Sequence, residues 1–343
     1  MDIQEDLMVR IVELKGDYYQ FGMEQANELK SSSIVEQMEE LNELAENANI
    51  ENAKEIIKSV SANLYKELQG LSKGLGLDFD TTVKLFSGYD VLFPQMGCTT
   101  LATGGYYIRN YDFSPEMYDA RLVFTKPQNG YAAVGFSQQI IGRLDGMNEK
   151  GLVVGLHFVN NERREEGFIA TTIVRMLLEQ CANIEEAITL ISNIPHGYCY
   201  NYSMTDQSGK NIIVEASPPQ QIINFTNPLI CTNHFESEVL KLNNRKDIQG
   251  SVKRKNYIQA LLNENLSPMS AYHQFNNESS PLFFKHYKEY FGTLHTVVYS
   301  PEDLSIMVGV GGNARPQVFH FKEYIKGEVT LPHLIKGRIN QTG

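Results

Sequence analysis

The sequence predicts an α+β fold: a helical leading segment, then two packed sheets covered by helices. Three observations carry that reading. Apolar residues before Cys98 recur at helical spacing. Strand-length runs take over after it, and those runs enclose a helical pair over 169–191 before helices return over 251–275. The 343 residues, 42% hydrophobic and 21% charged, are those of an ordinary globular protein with material for one large domain or two smaller ones. There is no internal repeat and no low-complexity stretch.

Leu7 to Leu14 alternates as a strand up to Gly16, and Asp17 can cap a helix running to about Leu29. Ile34, Met38, Leu41 and Ala45 recur at helical spacing. Ile57, Val60, Leu64, Leu68 and Leu71 do so again until Gly74 and Gly76. Asp80-Thr81-Thr82 opens a further helix ending near Gly88, and Pro94 makes the approach to Cys98 extended. Thr99–Ala102 and Tyr106–Asn110 flank Thr103-Gly104-Gly105 as a hairpin. Strands follow at Arg121–Thr125, Tyr131–Phe136, Gly142–Gly146 and Leu152–Phe158, then helices at Ile169–Gln180 and Ile184–Ile191. Strands resume at Tyr198–Thr205, Asn211–Ala216, Gln221–Phe225 and Leu229–Thr232. Ser251–Asn263 and Ser270–Phe275 read as helices; Leu294–Tyr299, Leu304–Val310 and Gln317–Phe321 close the chain as strands.

The formal charge is −11, and 18 of the 41 acidic but only 8 of the 30 basic residues precede Cys98. An acidic leading segment argues against nucleic acid or an anionic membrane as partner. No apolar run approaches the roughly 18–20 residues of a membrane-spanning helix. Met1-Asp2-Ile3-Gln4-Glu5-Asp6 lacks the basic and apolar regions of a signal peptide, so the expected location is the cytoplasm. Cys98, Cys181, Cys199 and Cys231 show no paired spacing, and His196, His234, His295 and His320 no metal-ligand spacing. Neither a disulfide framework, a metal nor any other cofactor is expected. Gly104-Gly105 and Gly311-Gly312 are not phosphate loops, lacking a following Gly-Lys-Ser/Thr. Lys241–Arg245 and Lys253–Lys255 read as solvated basic surface.

The chemistry centres on Met96-Gly97-Cys98-Thr99-Thr100 and, across the hairpin, Arg109-Asn110-Tyr111-Asp112. A cysteine behind a glycine at the head of a strand suits an unusual nucleophile, although a free cysteine is often only a small buried hydrophobe. Cutting the Gly97–Cys98 bond would give Cys98 a free α-amine beside its own thiol. An α-amine has a reference pKa of about 8 and a thiol about 8.5, so near neutrality the amine can accept the thiol proton. One residue then supplies nucleophile and base.

These motifs resemble the start of the catalytic domain in the choloylglycine hydrolase and penicillin V acylase group of N-terminal-nucleophile hydrolases. The chain ahead of Cys98 makes the acyl-CoA:6-aminopenicillanic acid acyltransferase branch the nearer resemblance. The resemblance implies a four-layer αββα sandwich over 98–343, with residues 1–97 a mostly helical pro-region or alpha chain. It implies Asp112 as acceptor for the Cys98 α-amine and Arg109 beside the thiolate, where a guanidinium lowers a thiol pKa. Arg109 and Asp112 lie three apart, and on a regular strand they point to opposite faces; serving one side would need a turn or bulge at Tyr111. Ile230-Cys231-Thr232-Asn233-His234 resembles the family's strand end, making Asn233 an oxyanion donor. Arg254, in Ser251-Val252-Lys253-Arg254, would be a second site arginine. Asp145-Gly146-Met147-Asn148 and Gly155-Leu156-His157-Phe158 are also similar to the family, but His157 stands where the bile salt hydrolases have an asparagine. His157, Phe158 and Tyr107 are thus candidates for the oxyanion or substrate side.

The resemblance implies a hydrolase of linear carbon–nitrogen amides working through an N-terminal cysteine exposed by autocleavage at Gly97–Cys98. An acyltransferase moving the acyl group to an amine, and an inactive binding protein of the same fold, are the alternatives. The expected partner is a small acyl amide. Association with further copies of the chain stays open.

Overall fold

The alternating runs of the sequence become strands, which a computed structural model describes within residues 3–30, 42–46, 48–92, 94–160, 162–262, 266–289 and 291–341. In chain order they are β1 (Ile3–Gly16), β2 (Gly97–Thr103), β3 (Tyr106–Phe113), β4 (Arg121–Pro127), β5 (Ala133–Gln138), β6 (Gly142–Arg143), β7 (Asp145–Asn148), β8 (Val153–Asn160) and β9 (Cys199–Thr205). There follow β10 (Asn211–Ser217), β11 (Gln220–Phe225), β12 (Leu229–Cys231), β13 (Lys285–His286), β14 (Phe291–Ser300), β15 (Ser305–Val310), β16 (Gln317–His320) and β17 (Leu334–Gln341). Among the described residues they form two sheets. The larger runs β11-β10-β9-β8-β7-β5-β4-β1-β17, with β6 on β5; the smaller runs β12-β2-β3-β14-β15-β16, with β13 on β14.

The two sheets face each other, and Arg109 of β3 reaches the Leu156 carbonyl of β8 across the gap. On its outer face the smaller sheet packs Leu101, Ile108 and Val298 against Ile258, Tyr272 and Phe275 of the helices Gln249–Leu261 and Pro268–Asn276. The larger sheet carries the helices Tyr18–Lys30 and Ala170–Gln180 on its own outer side. Helix, sheet, sheet, helix is the layer order that the resemblance implied.

Local chemistry explains most boundaries. Asp17 caps its helix by accepting from Gln20 N at 2.8 Å. The apolar pattern from Ile57 to Leu71 is two helices, Ile50–Val60 and Ala62–Leu75, where the sequence suggested one. They meet at Ser61, whose N–H donates to Ile57 O and whose side chain accepts from Leu64 N. One residue closes the first helix and opens the second, so the apolar period runs on while the backbone turns. The next helix, Phe79–Phe86, starts from Asp78 rather than Asp80, because the Asp78 carboxylate accepts from Thr81 N at 2.8 Å. Gly22 and Gly70 let helices touch: a Cβ on Gly22 would stand 2.0 Å from the Glu67 carbonyl, and one on Gly70 2.0 Å from that of Tyr19. Ile34, Met38 and Leu41 lie outside the described residues.

Two further expectations change. The strand expected over Gly142–Gly146 is divided at Leu144, because β6 pairs with Ser137 and Gln138 while β7 pairs with Ala133 and Val134. After β16 the chain turns into a helix, Phe321–Lys326, and then β17, neither anticipated; β17 gains its partners by pairing antiparallel with β1. β1 itself runs parallel to β4 inside the larger sheet. A buried polar seam joins the leading helices to the body: Arg175 Nη2 meets Glu67 Oε2 at 2.6 Å, Arg175 Nε pairs with Glu179, and Gln25 pairs with Glu67. No helix among the described residues is long and apolar enough to cross a membrane.

Candidate functional site

Hairpin register decides what surrounds Cys98. Gly97 pairs with Asp112, Cys98 with Tyr111 and Thr100 with Arg109. Residues paired across a ladder share a face, and alternate residues of one strand share it too, so the Cys98 thiol, Tyr111 and Arg109 all point between the sheets. There Arg109 Nη2 lies 2.9 Å from Cys98 Sγ and 2.7 Å from the Leu156 carbonyl, while Nη1 meets Asp145 Oδ2 at 2.6 Å. Asp145 also accepts from the Tyr299 hydroxyl at 2.5 Å and has His295 Nε2 at 3.6 Å. His295 is stacked on Phe136, ring centres 3.6 Å apart, with Nδ1 at 2.8 Å from the Tyr118 hydroxyl.

Asp112 lies on the opposite face. The ladder between β2 and β3 is regular, with no turn at Tyr111; the register shift falls on β14, between Thr293 and His295. Thr293 Oγ1 donates to Asp112 Oδ1 at 2.6 Å, while Oδ2 is buried with no hydrogen-bond partner. That free oxygen is 2.9 Å from where a Cβ on Gly97 would stand. Asp112 therefore lies on the Gly97 side of the hairpin, opposite the face that carries Arg109.

Asn233, at the end of β12, takes the backbone side. Its Oδ1 accepts from Cys98 N at 3.0 Å and from Arg254 Nη2 at 2.6 Å, and its Nδ2 donates to the Phe158 carbonyl at 2.9 Å. Ser251 Oγ accepts from Asn233 N at 2.8 Å, tying the strand end to the helix that carries Arg254. With the chain continuous, Cys98 N–H is an amide held by Asn233, and the Asn233 amide nitrogen is engaged by Phe158.

Burial dominates the electrostatics. It pushes the Cys98 thiol up to about 12; Arg109 opposes this, while Asp112 and Asp145 add to it. The guanidinium contact thus does not by itself yield a thiolate here. Burial also raises Asp112, with Arg254 the main opposing charge. Burial would raise Asp145 too, but Arg109, His295 and Tyr299 together hold it below the usual carboxylate range. Burial and Arg109 depress His157, which is therefore neutral, its Nε2 2.8 Å from Ser203 Oγ. The Tyr107 hydroxyl is 2.7 Å from the same Ser203 oxygen and 3.3 Å from Thr100 Oγ1, and the Phe158 ring is buried edge-on against Tyr200. Cys98 has no exposed surface.

Asp145, His295 and Tyr299 were missed as site residues by sequence reasoning. The signal available was Asp145 at the head of Asp145-Gly146-Met147-Asn148, a run already read as similar to the family: once buried, its carboxylate needs a cation, and Arg109 is that cation.

Residues 100–315 match the family model described as acyl-coenzyme A:6-aminopenicillanic acid acyl-transferase. No curated protein matches the sequence. In fold, the chain is similar to a mutant of conjugated bile acid hydrolase from Clostridium perfringens, at 15% identity and a TM-score of 0.51, covering 66% of this chain and 93% of that one. Penicillin V acylase from Agrobacterium tumefaciens aligns at 15% identity and a TM-score of 0.39, covering 65% of this chain and 84% of that one. The family match spans well over half of the sequence, from just after Cys98 through β15, and the layers described above are those of the hydrolase fold. The chain belongs to the acyl-coenzyme A:6-aminopenicillanic acid acyl-transferase family, within the N-terminal-nucleophile group of amide hydrolases and acyltransferases.

Proposed function

We propose that this protein hydrolyses linear carbon–nitrogen amide bonds through Cys98, after cutting its own chain between Gly97 and Cys98. The observation that carries the reading is the placement of three groups around one residue: Asn233 on the Cys98 amide, Arg109 on its sulfur and Asp112 against Gly97.

In maturation the Cys98 sulfur bonds to the Gly97 carbonyl carbon, the C–N bond breaks, and the Cys98 nitrogen takes a proton to become an amine. Water then adds to the thioester and frees the thiol, leaving Gly97 with a carboxylate. Asp112, its carboxyl raised by burial and one oxygen free, is the group beside that peptide able to carry the proton. The cut divides the chain into residues 1–97 and 98–343. The buried seam of Gln25, Glu67, Arg175 and Glu179 supports continued association of the two parts.

In turnover the new α-amine takes the thiol proton and the sulfur attacks the amide carbon of the substrate. Asn233 Nδ2, released from Phe158, and a backbone N–H hold the oxyanion; Arg254 keeps Asn233 in place, and His157 lies against the Cys98 backbone. The α-amine returns its proton to the leaving amine, and water resolves the acyl-thioester. Acyl transfer is the second reading, favoured by the family that the sequence matches; it uses the same groups, with an amine in place of that water. The substrate is a small acyl amide, and the four unpaired thiols support work in a reducing compartment such as the cytoplasm.

The mass of the purified protein tests the first step. Two chains that divide before Cys98, against one intact chain in Cys98→Ala, are expected. An intact wild type that takes no acyl group from a thiol-directed acylating probe would leave only a binding role.

A further inference from the structure

Asn233 stands where its strand has already ended. β12 is the outermost strand of the smaller sheet, and its ladder with β2 covers only Leu229–Cys231, the last pair being Cys231 with Thr100. Asn233 lies two residues further on, so that ladder does not fix the backbone that carries its amide. The amide nevertheless meets Cys98 N, Arg254 and the Phe158 carbonyl at once. Contacts from outside the smaller sheet have to set the turn.

The main one comes from Asn201, on β9 of the larger sheet. Its Nδ2 donates to His234 O at 2.8 Å and to Thr232 O at 3.3 Å, the carbonyls on either side of Asn233. Both of these groups are acceptors, which puts the amide nitrogen and not its oxygen toward the turn. Asn201 and Ser203 share one face of β9. Ser203 meets Tyr107 of β3, so that face looks across the gap between the sheets. Ser251 Oγ, accepting from Asn233 N, holds the same turn from the helix side. With both flanking carbonyls and the N–H engaged, the Asn233 backbone cannot swing without breaking a hydrogen bond. Asn201 is 2% exposed, and its Oδ1 is buried with no hydrogen-bond partner. A half-satisfied buried amide is a poor residue for stability alone, since its unpaired oxygen has lost its water. The grip on the turn is what this position supplies.

We propose that Asn201 is a positioning residue for Asn233, acting on the reaction through it from the opposite sheet. This rests on the reading of Asn233 as the oxyanion donor at Cys98. In that reading the Asn233 amide leaves the Phe158 carbonyl to meet the oxyanion. A clamped backbone confines this movement to side-chain torsions, so Nδ2 arrives at the same place in every turnover.

Asn201→Ala and Asn201→Asp, the second keeping the volume while replacing the donor by an oxygen, test it alone and combined with Asn233→Ala. Steady-state rates with a chromogenic acyl amide are normalised to the amount of chain that begins at Cys98, which removes any effect on chain splitting. Alone, each is expected to lower kcat about 10- to 100-fold with KM nearly unchanged. In the Asn233→Ala background neither is expected to lower it further, because the group through which Asn201 acts is already gone. An equal loss in both backgrounds, as a merely structural weakening would give, overturns the assignment. So does an unchanged kcat in both variants, or a rise in KM with kcat intact. Asn233→Ala turning over at the wild-type rate overturns the oxyanion reading and this assignment with it, and leaves Cys98 as nucleophile.

Discussion

Arg109 and Asp145 form an ion pair with no solvent exposure on either side, 2.6 Å between Nη1 and Oδ2, and the other guanidinium nitrogen rests 2.9 Å from the Cys98 sulfur. The aspartate sets the position of the arginine, and the arginine sets the field at the thiol. Tyr299, donating to Asp145 from β14, fixes the aspartate in turn.

Removing that countercharge leaves a buried guanidinium uncompensated. Asp145→Asn is expected to destabilise the protein by about 3–5 kcal/mol, the usual penalty for breaking a buried pair from one side. The urea midpoint gives the measurement, with Tyr299→Phe expected to show a smaller loss because it removes one hydrogen bond and no charge.

Asn233 is expected to matter twice. Asn233→Ala takes away the acceptor of the Cys98 amide and the proposed oxyanion donor, so amide turnover should fall about 100- to 1000-fold in kcat. Steady-state rates with a chromogenic acyl amide test this, and a gel of the freshly made protein should show slower appearance of the two chains.

Gly97 has no room for a side chain. A Cβ there would stand 2.4 Å from Phe291 Cζ and 2.9 Å from Asp112 Oδ2. Gly97→Ala must shift the peptide proposed to be cut, and a displacement of about 1 Å costs on the order of 100-fold in rate. The time course of chain splitting after denaturant dilution reads this directly; splitting at the wild-type rate would detach Asp112 from the maturation step.

The seam between leading segment and body makes stability depend on pH. Burial first, then Glu67, raises the Glu179 carboxyl to about 7 against the pull of Arg175. The folded protein therefore keeps a proton that the unfolded chain releases at ordinary carboxylate pH. The stability this proton confers is fully present below the unfolded pKa, about 4.5, and is lost as pH rises toward 7. Wild type is expected to lose urea resistance between pH 5 and 7 relative to Glu179→Gln, in which the group cannot titrate.

Periodicity made the layers legible because a strand exposes its pattern every second residue and a helix every three to four, whatever it packs against. The β2–β3 hairpin, the helices at 170–191 and the closing strands β14 to β16 could be read that way. β17 could not: Leu334–Gln341 mixes Lys336, Arg338 and Asn340 with Gly337, and it is a strand because β1, more than three hundred residues earlier, supplies its ladder. The break at Ser61 was hidden for a different reason: the apolar period passes through it unchanged.

The sequence by itself determined the kind of residue at the site: a cysteine after a glycine, an arginine and an aspartate three apart, an asparagine at a strand end. Strand alternation already put Arg109 and Asp112 on opposite faces; tertiary structure alone decided that the strand stays regular and what meets each face, since that depends on elements distant in sequence. The regular ladder sends Arg109 to the sulfur and Asp112 to the Gly97 side, and the folding of β7 against β8 brings Asp145 to Arg109. Burial, which no single residue encodes, then fixes how strongly each charge acts.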